Sequence, residues 1–302
     1  MCAYSRRRFL QSSLAAGAAV SAAGLPLRAE FDTPADAALP KKPDTATSLT
    51  TLGNTSLKVT RLGFGKPPDH KRTSQEEFTT LVHHAYDRGI RFFEAAEIYP
   101  PSAAMLANAL HGLPRESYVL MMQVETEGKD SPKKHFDELR RVSRTEYFDA
   151  VSLHCMHFPN WDTETETWQE ALLHEQEKKT IYHHGVSVHG LPALRQIPGN
   201  QWVEIALVRI NHLGYCMDSE DWQVETEGKV NEVVDHVHQI RSQGIGVIGM
   251  KLIGAGTLTK REDRATAIKF AFKKGGVDCG LVGFKSTGEI DEALENFTSA
   301  LA

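Results

Sequence analysis

The sequence predicts a (β/α)8 barrel, and three observations carry that prediction. Eight short runs rich in Val, Ile, Leu or Phe recur at 59–65, 91–96, 118–124, 148–154, 183–189, 203–210, 244–251 and 279–284. None alternates strictly, as expected of parallel strands covered on both faces. The segments between them are amphipathic with readable helix caps, and eight strand–helix units in about 250 residues is the barrel count. A doubly wound sheet is the alternative, weakened because no Gly-x-Gly-x-x-Gly follows the first strand.

Taken in order, the chain opens with Ser5-Arg6-Arg7-Arg8-Phe9-Leu10, then a small-residue apolar run from Leu14 to Leu25. This pattern resembles a twin-arginine export signal over residues 1–29, with cleavage after Ala23 or Ala29. It implies an export-machinery partner and a periplasmic or otherwise exported protein. The apolar run is too short to cross a hydrocarbon core of about 30 Å, so no membrane span is expected after cleavage. Residues 30–47 lack periodicity and read as a linker to a barrel unit at 48–302. The stretch 49–57, centred on Gly53-Asn54, reads as a hairpin closing the barrel floor. Ser74 with Glu77 forms a capping box, with Gly89 ending that helix; Ser131-Pro132 opens a second, and Ser286 with Glu289 the last.

Composition agrees with an ordinary globular protein: 302 residues, 41% hydrophobic, 24% charged. The formal charge is −5, and removing the four arginines of residues 1–29, which hold no acid, leaves about −9, which argues against a nucleic-acid partner. Beyond Cys2 the cysteines are Cys155, Cys216 and Cys279, without a C-x-x-C pair, so neither a disulfide framework nor a zinc knuckle is expected. The acidic runs at 162–170 and 218–227 read as solvated faces.

In such a barrel the chemistry lies at the carboxyl ends of the strands. Those ends read Glu94-Ala-Ala-Glu97-Ile98-Tyr99, Met122-Gln123, Leu153-His154, Gly185-Val-Ser187-Val-His189-Gly190, Arg209-Ile210-Asn211 and Gly249-Met250-Lys251. In this order they resemble the aldo-keto reductase superfamily, from the Leu52-Gly53-Asn54 hairpin to Gly283-Phe284-Lys285-Ser286 and the last helix. The Gly-Val-Ser-Val-His-Gly turn and the Arg-Ile-Asn segment resemble its exported twin-arginine members.

The resemblance implies a nicotinamide-dependent oxidoreductase acting on a small-molecule carbonyl or sugar-like substrate. It places the family's catalytic tyrosine at Tyr99 and its histidine at His154, the tyrosine protonating the carbonyl oxygen and the histidine orienting it. The family's aspartate is Glu94 and its lysine is Gln123. Gln123 brings no charge to lower the tyrosine pKa, and a buried Glu94 must then protonate or find another donor. For the cofactor the resemblance implies Ser187, Asn211, Met250 and Lys251, then Leu252, Gly254 and Gly256 in a phosphate loop. Lys285, Ser286 and Asn296 follow on the last helix, whose N-terminus favours an anion. The family's glutamine on strand 6 is Leu207, and its 2′-phosphate arginine falls near Asp291. NADP is the expected cofactor, with NAD open.

Two further features remain. Gln-Val-Glu-Thr-Glu-Gly-Lys occurs twice, at 123–129 and 223–229, without a longer repeat around it. His154, His157, His189 and His212 fall at strand ends with Glu94, which leaves a metal-dependent lyase or isomerase as one alternative. A cofactor- or ligand-binding protein with a decayed catalytic set is the other. The pairs His83-His84 and His183-His184 read as structural.

Overall fold

A computed structural model describes residues 44–66, 73–99, 102–126, 131–223 and 226–302. The export signal and most of the proposed linker lie outside them.

Each of the eight predicted runs contains one strand of a single barrel. A hairpin of β1 (Leu49–Thr51) and β2 (Lys58–Thr60) precedes β3 (Leu62–Phe64), β4 (Phe92–Ala96), β5 (Val119–Val124), β6 (Phe148–Met156), β7 (Ile181–Val188), β8 (Ile205–Arg209), β9 (Gly246–Met250) and β10 (Cys279–Val282). The strands from β3 to β10 run parallel in sequence order, and β10 closes on β3. The predicted run 59–65 is thus two elements. Arg61 marks the break, where its N–H donates to Ser48 O at 3.1 Å. Residues 44–47 are packed rather than linking: Ala46 is buried and its N–H donates to Thr298 Oγ1 at 3.1 Å.

Around the barrel lie α1 (Gln75–Asp87), α2 (Ser102–Leu110), α3 (Pro132–Ser143), α4 (Trp161–Glu164), α5 (Glu166–Glu177), α6 (Leu191–Leu194), α7 (Val230–Ser242), α8 (Arg261–Lys273) and α9 (Thr287–Leu301). The capping box at Ser74 and Glu77 forms, and Ser286 Oγ accepts from Glu289 N. Ser131 precedes Pro132 as expected, yet its hydroxyl makes no capping bond.

Two cores follow from the strand pleat. One face of each strand packs on the helices; the other fills the barrel, where Phe92, Met121, Ala150, Ile205, Leu207 and Ile248 meet. Leu52, Leu57 and Val59 of the hairpin join this inner cluster, so the hairpin closes the floor as predicted. Gly53 makes this possible: its φ is +52°, and a Cβ there would lie 2.2 Å from Gly244 O.

Among the described residues no helix is long and apolar enough to cross a membrane. Among the described residues Cys155, Cys216 and Cys279 form no disulfide.

Candidate active site

The inward alternation that buries Phe92 and Met121 carries on up the strands, so Glu94, Gln123 and His154 project into the barrel at its carboxyl end. All three are buried, at 7%, 5% and 7% exposure. Gln123 Nε2 donates to Glu94 Oε1 at 2.5 Å, which supplies the donor that Glu94 needs. Burial still pushes the Glu94 carboxyl up, against that bond, the charges of Lys251 and Lys66, and the Lys66 backbone N–H.

Tyr99 stands on the turn after β4. Its N–H donates to Ala96 O at 3.2 Å, and Ser102 Oγ closes the turn on Ala96 O at 2.8 Å. Glu97 fixes the turn to the next strand, accepting from Glu125 N at 3.1 Å and pairing with His135 at 2.6 Å. The Tyr99 and His154 rings meet edge-on with centroids 6.0 Å apart. Burial raises the Tyr99 pKa, and the negative charges of Cys155 and Glu94 add to the rise. His154 is pushed down to about 4, by burial first and then by Lys251 and Lys66, so its imidazole is neutral at pH 7 and its Nδ1 has no partner among the described residues.

These groups line one end of a cavity of about 510 Å³. Met250, Lys251, Leu252, Gly256, Lys285 and Asn296 line it as well, so most residues expected at a cofactor share one space with Tyr99 and His154. Residues 254–256 all adopt positive φ, which turns the chain tightly at the cavity wall. Ser187, Asn211, Gly254 and Ser286 lie off the cavity lining. Ser187 Oγ faces Met250 Sδ at 4.0 Å beneath it. Asn211 ties loops together, donating to Tyr215 O at 2.6 Å and Lys251 O at 3.3 Å while its Oδ1 accepts from Leu213 N and Tyr215 N at 3.1 Å. Ser286 caps α9, and Lys285 N donates to Glu289 Oε2 at 2.7 Å.

Four features escaped the sequence pattern. Lys66, just past β3, places Nζ 3.8 Å from the centroid of the Tyr99 ring; its position at the end of the first barrel strand was the available signal. Arg264 of α8 lines the cavity and grips Glu292 with two bonds of 2.7 and 2.8 Å. Cys155 Sγ lies 3.2 Å from His189 Nδ1. Asp218, expected in a solvated acidic run, is instead fully buried against Arg209 at 2.6 Å, because the loop after β8 folds back over the barrel mouth. Of the histidines expected to converge, His154 and His189 meet edge-on with ring centroids 5.8 Å apart, while His157 packs on Trp222 and His212 on Phe270. Among the described residues no group of three or more His, Cys, Asp or Glu is placed to hold a metal. The copies of the repeated heptapeptide differ in setting, since Gln123 ends a strand and Gln223 sits in an exposed loop.

The Aldo/keto reductase family model matches residues 61–274, which takes in every barrel strand from β3 to β9 and the Glu94, Tyr99, Gln123 and His154 positions. The chain belongs to the aldo/keto reductase family. Among curated proteins it is 27% identical over 239 residues to L-galactose dehydrogenase of Arabidopsis thaliana, covering 72% of this chain and 69% of that one. Two solved structures share the fold. A Pseudomonas aeruginosa protein described as an aldo-keto reductase has a TM-score of 0.69 at 18% identity, covering 86% of this chain and 98% of the other. The holo form of a Bacillus halodurans aldo-keto reductase has a TM-score of 0.68 at 16% identity, covering 83% and 90%. This aldo/keto reductase is thus an oxidoreductase of a family that generally uses NAD(P)H, on a closed barrel with its candidate acid at the expected end.

Proposed function

We propose that the protein is an exported, NADP(H)-dependent reductase of small carbonyl or sugar-like substrates, with Tyr99 as proton donor. The observation that carries this reading is the placement of Tyr99 and His154 edge to edge on a cavity whose other wall holds the 252–256 loop and Lys285. The kinship with L-galactose dehydrogenase, whose name marks a sugar substrate, supports the substrate class.

The cavity has the size of a ligand site. At about 510 Å³ it lies within the usual range, and Lys66, Lys251, Arg264 and Lys285 line it together with Glu94, Glu289 and Glu292, of which Glu292 pairs with Arg264. Lys251, Leu252, Gly256, Lys285 and Asn296 would hold the cofactor. Arg264 and Lys285, both on the cavity lining, favour the extra phosphate of NADP over NAD. When bound, the nicotinamide supplies or accepts the hydride.

The chain's own residues do the rest. Tyr99 gives its phenolic proton to the carbonyl oxygen, where negative charge develops. The unpartnered Nδ1 of His154 belongs to an imidazole kept neutral by burial, which orients the carbonyl without competing for the proton. Glu94 and Gln123, joined to each other, fix the floor beneath both. Met250 supplies an apolar surface that excludes water.

The arginine pair Arg6-Arg7 in its apolar frame supports export through the twin-arginine route, which carries folded proteins. The test is calorimetric titration of NADP(H) and NAD(H) followed by assay on aldehydes and aldoses. Binding with turnover sustains the reading. Binding without turnover transfers it to a cofactor-binding protein, a role favoured by the uncharged Gln123, and absence of binding removes both.

A further inference from the structure

We propose that Lys66 supplies the cation of this active site: its ammonium, lying on the face of the Tyr99 ring, stabilises the phenolate formed when Tyr99 gives up its proton. This rests on the reading of Tyr99 as the proton donor.

The geometry comes first. Lys66 Nζ sits 3.8 Å from the ring centroid, close enough for direct attraction to the π face. That attraction is modest while the ring is neutral. It strengthens into a full charge–charge interaction once the O–H bond breaks and the ring oxygen is left anionic, so the contact favours the state reached during the reaction.

The segment bearing Lys66 is anchored to the catalytic floor on two sides. Gly65 N donates to Val282 O at 2.9 Å, and the Lys66 N–H bonds to the Glu94 carboxylate. Gly65 packs so closely that a Cβ would stand 3.4 Å from Glu94 Oε2. A change at Glu94 is therefore felt at Lys66 directly, and the two form one electrostatic unit with Tyr99.

The other groups facing the phenol explain why such a cation is needed. Glu94 from β4 and Cys155 from β6 both raise the Tyr99 pKa, and His154, also from β6, is neutral near pH 7. Gln123 brings no charge, its amide being spent on Glu94. Lys251 lines the same cavity, where Cys216, Glu94 and Cys155 support its ammonium against burial, but no contact of it with the Tyr99 ring is seen among the described residues. Among the described residues, Lys66 is the cation recorded on the Tyr99 ring. In the proposed reaction the Tyr99 O–H bond breaks and an O–H bond forms on the substrate oxygen; a nicotinamide held by Lys251, Leu252, Gly256, Lys285 and Asn296 would supply the hydride that reduces the carbonyl carbon. The phenolate left behind is reprotonated from solvent.

The experiment titrates Tyr99 itself. Ultraviolet phenolate absorbance is followed against pH in the full protein and in Lys66→Met, each minus its Tyr99→Phe counterpart, so that the signal belongs to one tyrosine. Lys66→Met is expected to move the Tyr99 titration up by about one pH unit, with kcat on a generic aldehyde about tenfold lower near neutral pH. Lys66→Arg should keep both near the parent. Lys66→Met combined with Gln123→Lys should bring the titration back down, because the charge has returned from a second direction; this pair also serves where Lys66→Met alone folds poorly. An unmoved titration in Lys66→Met, or no return in the combined variant, overturns the proposal. A moved titration in a protein that reduces no carbonyl leaves the Lys66–Tyr99 coupling standing and refutes the reductase reading instead.

Discussion

Gln123 Nε2 donates to Glu94 Oε1 at 2.5 Å in the floor of the candidate active site, a neutral amide set against a buried acid. The amide satisfies one carboxylate oxygen but contributes no charge, so burial governs Glu94 and raises its pKa.

Gln123→Lys is therefore expected to lower the Glu94 pKa and to raise kcat near neutral pH. General acid catalysis is worth roughly 10²- to 10⁴-fold in total, which bounds the gain. Glu94 is one methylene longer than an aspartate, which can push a lysine at position 123 out of line, so the paired change Glu94→Asp with Gln123→Lys is the sharper form. Steady-state kinetics of both singles and the pair check it, and a gain confined to the pair would show that the two positions act together.

Elsewhere on the cavity lining, Lys285→Ala and Arg264→Ala are expected to weaken NADP(H) binding. An exposed phosphate contact is worth about 1 kcal/mol, or about fivefold in affinity, and calorimetry reads it directly. Arg264 is already neutralised by Glu292, so its loss should cost less than that of Lys285. The reverse order would relocate the phosphate toward α8.

The Arg209–Asp218 pair predicts a stability effect. Both side chains are fully buried, and Arg209 Nη2 and Asp218 Oδ2 lack partners among the described residues. Asp218→Asn leaves a buried guanidinium uncompensated, at a cost of about 3 to 5 kcal/mol in urea unfolding. Arg209→Met with Asp218→Leu should cost less than Asp218→Asn alone. A larger cost in the double variant would mean that the pair itself is net stabilising.

Much of this was legible in the sequence, for reasons the residues make plain. Strands that pack on both faces need runs such as those at 148–154 and 203–210, so all eight were visible. Glu94, Tyr99, Gln123 and His154 sit at fixed places relative to those strands, so their convergence followed from the fold. Asp218 was hidden because nothing local separates a buried acid from its exposed neighbours Glu220 and Asp221; only the return of the loop over Arg209 does so. Lys66 was hidden because its role comes from a ring 33 positions further along the chain, a distance that no local pattern records.

Export is checked separately. Replacing Arg6 and Arg7 together with Lys should retain the protein in the cytoplasm, and fractionation followed by immunoblotting reads the outcome. Undiminished export of that variant would remove the twin-arginine reading.

The last prediction concerns His154 and acid. Its folded pKa is held down to about 4, against about 6.5 for a free imidazole, because burial penalises the cation and Lys251 and Lys66 repel it. Between those values the unfolded chain binds a proton that the folded one refuses, so stability rises with pH across this window and is lost as pH falls from about 6.5 to 4. Each unit of difference corresponds to about 1.4 kcal/mol, so His154 alone accounts for up to about 3 kcal/mol of acid destabilisation. His184 and His189 are also pushed down by burial and act in the same direction, which is why the wild-type curve alone does not isolate His154. His154→Gln keeps a polar side chain without a titrating ring. Denaturant midpoints measured from pH 7 to 4 should fall less steeply in that variant, the two curves converging as pH drops. Parallel curves would show that the ring takes up its proton while the protein is folded, and that an imidazolium faces the substrate.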